Sequence, residues 1–236
     1  MLCQTLENVM PALSISIEPR SGSIIHTDIT VERLRIAGWA GRNKNAVQHH
    51  IDELAALGIA PPSRTPLFYE VSASLLTTDQ TVEILGETSS GEVEPFVVLT
   101  SEGLLVGVGS DHTDRKAEAW SVPHSKQLCA KPIGPRFWRH ADVAGHWDQL
   151  QLRSWIPLPD GTWQLYQDGS VGSLIGPEEL IDLNGEIAAG TGLFCGTISA
   201  IGGVRPSNGF RMELFDPVIG RSLTHDYRLK TLSIII

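Results

Sequence analysis

Glu92-Val93-Glu94 sets two carboxylates two residues apart, where the apolar run Phe96-Val97-Val98-Leu99 begins. Side chains alternate between the faces of a strand, so Glu92 and Glu94 project together while Val93 points away. Two like charges that close repel. They are tolerated either at a solvent-facing edge or around a cation, and for oxygen ligands that cation is a hard divalent ion. A second alternating run, Leu105-Val106-Gly107-Val108-Gly109-Ser110, ends in Asp111-His112-Thr113-Asp114-Arg115-Lys116. Beside the first run it would add Asp111 as a third carboxylate; on its own it ends in a solvated turn. Three carboxylates without a cysteine favour Mg2+ or Mn2+, with Ca2+ also suitable, over Zn2+.

His50 and Glu53 are three residues apart on a segment whose apolar positions Val47, Ile51, Leu54 and Leu57 recur at helical spacing up to Gly58 and Pro61-Pro62. The pair shares one helix face. It is either an imidazole oriented by a carboxylate, which suits removal of a proton from water, or a surface ion pair. His49 and Asp52 fall on other faces and read as solvated. "GTGLFCGT", Gly190 to Thr197, is glycine-rich enough for backbone to approach a ligand but follows no phosphate-loop spacing. Lys126 and Lys131 flank Cys129 and read as solvated lysines.

The elements around these residues are mostly strands. "ALSISIEP" and "ITVERLRIAGWAG" alternate with period two and fit one hairpin; the segment from Pro61 is extended and broken by prolines. A helix is expected from His140 to Gln149, strands at "LQLRSWI" and "WQLYQDG", a short helix at "GPEELIDL" and a hairpin from Phe210 to Leu229. With 236 residues, 42% hydrophobic and 19% charged, the chain fits a globular protein and neither a disordered nor a fibrous one. A net charge of -9 without a cluster of Lys and Arg argues against nucleic acid. No apolar run reaches the ~18 to 20 residues of a spanning helix, so no membrane partner is expected and the protein reads as soluble and cytoplasmic. Cys3, Cys129 and Cys195 lack metal or disulfide spacing and read as structural thiols.

Taken in order, "GRNKNAVQHHIDELAALGIAPPSRTPLFYEV", "GEVEPFVVL", "VGVGSDHTDRK", "SKQLCAKPIGP", "YQDGSVGSLIGPEELI" and "NGEIAAGTGLFCG" resemble successive motifs of the fumarylacetoacetate hydrolase-like superfamily. The resemblance runs from roughly Gly38 to Leu229. It implies an α+β, mainly β fold, a mixed-sheet β-roll of the fumarylacetoacetate hydrolase C-terminal-domain type. Residues 1-37 would be a β-rich extension packed on a catalytic domain of residues 38-236, and the protein would be a homodimer. It makes Glu92, Glu94 and Asp111 the metal ligands, His50 and Glu53 a water-activating dyad on a lid, and Lys126 a catalytic lysine. Arg115, Gly190 and Thr191 become substrate-binding residues. The activity implied is hydrolysis of a carbon-carbon bond in a 1,3-dicarbonyl or acylpyruvate-type 2-oxoacid. Decarboxylases, isomerases, hydratases and sugar-acid dehydratases share that chemistry, and a binding protein that keeps the fold without the activity is the non-enzyme alternative.

The chain departs from the family pattern in four places. The insertion between Glu94 and Asp111 is short, Ser110 replaces an Asn, Pro95 stands where a branched apolar residue is usual, and Tyr69-Glu70-Val71 replaces a lysine after Phe68.

Overall fold

The computed structural model describes residues 12–56, 60–185 and 187–235, the side chains of His50 and Leu54 excepted. The described residues open with β1 (Ala12–Ile17), β2 (Ile25–Thr30), β3 (Arg33–Gly38), helix α1 (Lys44–Ala56), β4 (Leu67–Val71) and β5 (Leu76–Thr77). There follow β6 (Thr81–Leu85), β7 (Ser89–Ser90), β8 (Val93–Thr100), β9 (Gly103–Ser110), β10 (Thr113–Asp114), α2 (Arg115–Glu118) and α3 (Val122–Gln127). Next come β11 (Lys131–Pro132), β12 (Arg136–Arg139), α4 (His140–Val143), β13 (Gln151–Pro157) and β14 (Trp163–Ser170). The last elements are α5 (Pro177–Asn184), β15 (Thr191–Phe194), β16 (Gly209–Asp216) and β17 (Arg221–Leu232).

Two sheets carry the fold. A mixed eight-stranded sheet runs β2-β1-β12-β9-β8-β15-β3-β4, and a five-stranded sheet runs β14-β13-β16-β17-β6. Strand periodicity decides what lies between them. Val93 and Val97 of β8 and Val106 and Val108 of β9 face Leu152, Phe210, Met212, Leu214 and Tyr227 of the smaller sheet in one buried cluster. The alternate positions, Phe96, Val98 and Leu105, join Leu34, Ile36, Phe137 and Phe194 in a second cluster on the other face. Glu92 and Glu94 share the parity of Phe96 and so turn toward that second face. This is the mainly β, mixed-sheet roll expected from the sequence.

Two local expectations change. "ITVERLRIAG" is not one strand. Ile29 and Thr30 end β2, which pairs with β1 at the sheet edge, whereas Arg33 opens β3, which lies between β15 and β4. Residues 140–149 do not form one helix; α4 stops at Val143 and a 3-10 segment, Ala144–Gln149, kinks at His146 (φ -142°) after Gly145. Pro95 sits inside the larger sheet, in register with Val108, and its carbonyl still accepts the Cys195 N–H at 3.0 Å. The expected helix stop at Gly58, and Cys3, lie outside the described residues. Cys129 and Cys195 are free and buried. No helix of the described residues is long and apolar enough to cross a membrane.

Candidate metal centre

The antiparallel pairing of β8 and β9 answers the question posed by the two acidic runs. Val93 pairs with Ser110 and Glu94 with Gly109, and the Asp111 N–H donates to the Glu92 carbonyl at 3.0 Å. Asp111 therefore stands across from Glu92, with Glu94 two residues along the same face. One carboxylate oxygen from each of Glu92, Glu94 and Asp111 lies within 4.8 Å of the others. Gly109, opposite Glu94, lets the Phe194 ring pack against the strand; a Cβ there would stand 2.6 Å from Phe194 Cε1.

Three cations surround the triad. Arg115 sets Nη2 3.1 Å from Glu92 Oε1 and donates from Nη1 to Glu118 Oε2 at 2.9 Å and from Nε to Ser90 Oγ at 2.7 Å. Lys126, on α3, donates to Asp111 Oδ2, and its Nζ is 4.0 Å from Glu92 Oε2. Lys131, wholly buried, has its Nζ 3.1 Å from Asp111 Oδ1 and donates to the His112 carbonyl at 2.6 Å. Burial alone would raise the Asp111 pKa, but Lys126 and Lys131 outweigh it and hold the carboxyl below its ordinary value. Read by residue type alone, both lysines are solvated; the resemblance places Lys126, but not Lys131, at the site. The structure buries them, because each meets a carboxylate that only the fold brings near.

Glu94 differs from its neighbours. It is buried, its Oε2 accepts the Gly196 N–H at 2.7 Å, and burial followed by repulsion from Asp111 and Glu92 pushes its pKa well above the ordinary value. Asp111 Oδ1 is also buried and, despite its ion-pair contact with Lys131, accepts no hydrogen bond. A strained carboxyl beside an oxygen with free lone pairs, in an all-oxygen donor set, fits a hard divalent cation such as Mg2+, Mn2+ or Ca2+.

The glycine-rich segment reaches the triad by its far end. Gly196 supplies the N–H to Glu94, and Thr197 Oγ1 donates to the Val93 carbonyl at 2.8 Å. Gly190 and Thr191 stand elsewhere. Thr191 pairs with Leu99, five residues along β8 from Glu94 and so ~17 Å away at strand rise. Gln167 on β14 ties the sheets together here: its Oε1 accepts from Val93 N at 3.1 Å and Ser154 Oγ at 2.8 Å, and its Nε2 donates to Thr197 Oγ1 at 2.9 Å and Ile198 O at 2.6 Å. Gly196 has φ +94°, and a Cβ on it would stand 2.9 Å from Ala40 Cβ. Gly196→Ala is therefore expected to lose ~1–3 kcal/mol of stability and to weaken Mn2+ binding about tenfold, read by thermal unfolding and calorimetry.

A second buried network stands behind the ligands. His112 places Nδ1 3.0 Å from Tyr227 Oη and Nε2 2.9 Å from Ser89 Oγ. Tyr227 donates to Ser110 Oγ at 2.8 Å, and that oxygen accepts the Glu92 N–H at 3.2 Å. Since the tyrosine proton goes to Ser110, Nδ1 of His112 carries the imidazole proton and Nε2 accepts from Ser89. Burial pushes the His112 pKa down to about 3, with Lys131 and Arg115 adding to the shift.

Helix α1 carries the two residues expected to form a dyad. His50 lies on it, with a side chain outside the described atoms, and Glu53 is exposed with Oε1 3.5 Å from His49 Nδ1. Asp52 accepts from Gln48 at 2.8 Å. Where the family pattern has its lysine, the chain instead buries Tyr69, whose hydroxyl accepts from Trp39 Nε1 at 3.3 Å and whose ring centroid is 5.6 Å from Lys126 Nζ.

Known proteins share this architecture. A candidate fumarylacetoacetate isomerase/hydrolase from Oleispira antarctica superposes with a TM-score of 0.62 at 16% identity, over 92% of this chain and 99% of that one. A 2-keto-3-deoxy-D-arabinonate dehydratase complexed with magnesium and 2,5-dioxopentanoate gives 0.59 at 19% identity, over 91% and 79%. Yeast ynq8, a fumarylacetoacetate hydrolase family protein, gives 0.59 at 13% identity, over 85% and 94%. No curated protein matches the chain. The family described as "Protein of unknown function (DUF2848)" matches residues 37–227. That span covers most of the chain, which therefore belongs to the DUF2848 family, built on the fold of the fumarylacetoacetate hydrolase-like superfamily.

Proposed function

We propose that the protein is a divalent-metal-dependent hydrolase that cleaves a carbon-carbon bond in a 1,3-dicarbonyl or acylpyruvate-type 2-oxoacid. The observation that carries this reading is the convergence of Glu92, Glu94 and Asp111 within 4.8 Å, with Lys126 on the same carboxylate. A bound divalent ion supplies Lewis-acid stabilisation of negative charge on substrate oxygens. The chain's own residues do the rest. Arg115, Lys126 and Lys131 stand against Glu92, Glu94, Asp111 and the Arg115 partner Glu118, so a doubly charged ion would leave the site with an excess of one positive charge that suits an anionic substrate. His50 takes a proton from water as the water adds to the carbonyl remote from the substrate carboxylate, and Glu53 orients the imidazole. The carbon-carbon bond breaks with its electrons passing to the 2-oxoacid fragment, which then takes up a proton. Lys126 stands next to the triad to bind the oxygen that gains charge, while Arg115 braces Glu92.

A second reading, dehydration of a 3-deoxy-2-keto sugar acid, is favoured by the likeness to the arabinonate dehydratase, which equals that to yeast ynq8 in TM-score. Product analysis on a panel of acylpyruvates and 3-deoxy-2-keto sugar acids, with Mg2+ or Mn2+, separates the two. His50→Ala is expected to bind Mn2+ as the wild type does and to lose turnover by about 10²-fold or more. Hydrolytic turnover retained in that variant would count against His50 as the base that activates water, whereas a panel yielding only dehydration products would count against the hydrolase reading.

A further inference from the structure

Lys126 has a place in the proposed chemistry, whereas Lys131 does not. Its backbone is pinned by β11, which pairs in parallel with β5, and by the Ile133 N–H to Thr77 and Gly134 N–H to Val108 bonds, both 2.8 Å. Its side chain is wholly buried, and its ammonium faces the His112 carbonyl and Asp111 Oδ1. Each oxygen of Asp111 is thus met by a different lysine. Burying an ammonium is costly without a strong partner, and this partner is one that a metal ion would also claim. Counted formally, Arg115, Lys126 and Lys131 offset all but one of the charges on Glu92, Glu94, Asp111 and Glu118 before any ion arrives.

We infer that Lys131 is a resident counter-cation: it neutralises Asp111 in the ion-free protein, keeps the ligand set assembled, and thereby loosens the site's hold on its divalent ion. The Asp111 oxygen it faces has the ammonium 3.1 Å away and no other partner among the described residues, so it keeps a lone pair for an ion while its charge is partly offset. The inference rests on the reading of the acidic triad as a metal centre. Its consequence is a site that is assembled before loading and that exchanges its ion readily.

The test uses the full chain stripped with EDTA, with Mn2+ as the probe. Lys131→Met is expected to unfold at a lower temperature than the wild type in EDTA, yet to bind Mn2+ roughly tenfold more tightly by calorimetry, because a repelling charge has gone. Saturating Mn2+ should then narrow the gap in unfolding temperature. The double variant Lys131→Met/Asp111→Asn, which removes both charges, should recover much of the stability lost by Lys131→Met in EDTA. Equal or weaker Mn2+ binding by Lys131→Met, or by Lys131→Gln should the Met variant fail to fold, overturns the inference. So does a double variant no more stable than Lys131→Met. A wild type that binds no Mn2+ removes the metal reading and the affinity half of the inference with it; the EDTA comparison then decides the Lys131–Asp111 pairing alone.

Discussion

Glu94→Gln is expected to abolish saturable Mn2+ binding and, in metal-free buffer, to raise the unfolding temperature. Most removals of a ligand are either neutral or harmful to the fold. Here the carboxyl is buried, holds one backbone hydrogen bond from Gly196, and is raised in pKa by burial and by two acidic neighbours. Without an ion, Glu94 at neutral pH must either stay ionised in a buried acidic setting or take up a proton that the unfolded chain would not hold, and either way it opposes folding. An amide of the same shape removes that charge and, with its oxygen toward Gly196, keeps the hydrogen bond. The gain should be on the order of 2 kcal/mol, or roughly 4–8 °C for a chain of this size. Saturating Mn2+ should stabilise the wild type and leave the variant unmoved. Differential scanning calorimetry with and without Mn2+ measures both; a variant less stable than the metal-free wild type would show that Glu94 is well satisfied as a carboxylate.

The second large effect is acid sensitivity set by His112. Its folded-state pKa is depressed from 6.5 to about 3, so the unfolded chain takes up this proton first as pH falls. The contribution to stability is intact above pH 6.5 and is lost on the way down at about 1.4 kcal/mol per pH unit, approaching 5 kcal/mol near pH 3. His140 and His225, also depressed by burial, act in the same direction. His112→Gln should be less stable at pH 7, having lost part of the Ser89 and Tyr227 contacts, but its denaturation midpoint should fall less steeply between pH 6.5 and 4. An unchanged slope would assign the acid limb to other groups.

Much of the centre was legible because it obeys a period of two on adjacent strands. Glu92, Glu94 and Asp111 needed only the assumption that the run ending at Ser110 turns back along the run beginning at Val93. Helix α1, α5 and the β16–β17 hairpin followed from spacing and turn residues in the same way. What escaped depends on pairings distant in sequence. Lys131 looks solvated until the chain brings it to Asp111, 20 residues upstream. The glycine-rich segment contains two Gly-Thr pairs, at 190–191 and 196–197, and both glycines have positive φ, +84° and +94°. Composition alone cannot say which end of β15 lies beside Glu94. Likewise, nothing local in Thr30-Val31-Glu32-Arg33 tells that the chain leaves the sheet edge there and re-enters near its opposite side.

Gln167 has no spare valence: both lone pairs and both protons of its amide are committed, to two sheets and to the segment carrying Gly196. A glutamate of equal size would present acceptors to the two acceptors at Thr197 and Ile198, and a shorter asparagine would fall away from one sheet or the other. Mutational drift at this one site is therefore open only to lineages that change its correspondents in concert, so descendants that have abandoned the amide should carry matching replacements at Ser154 or Thr197.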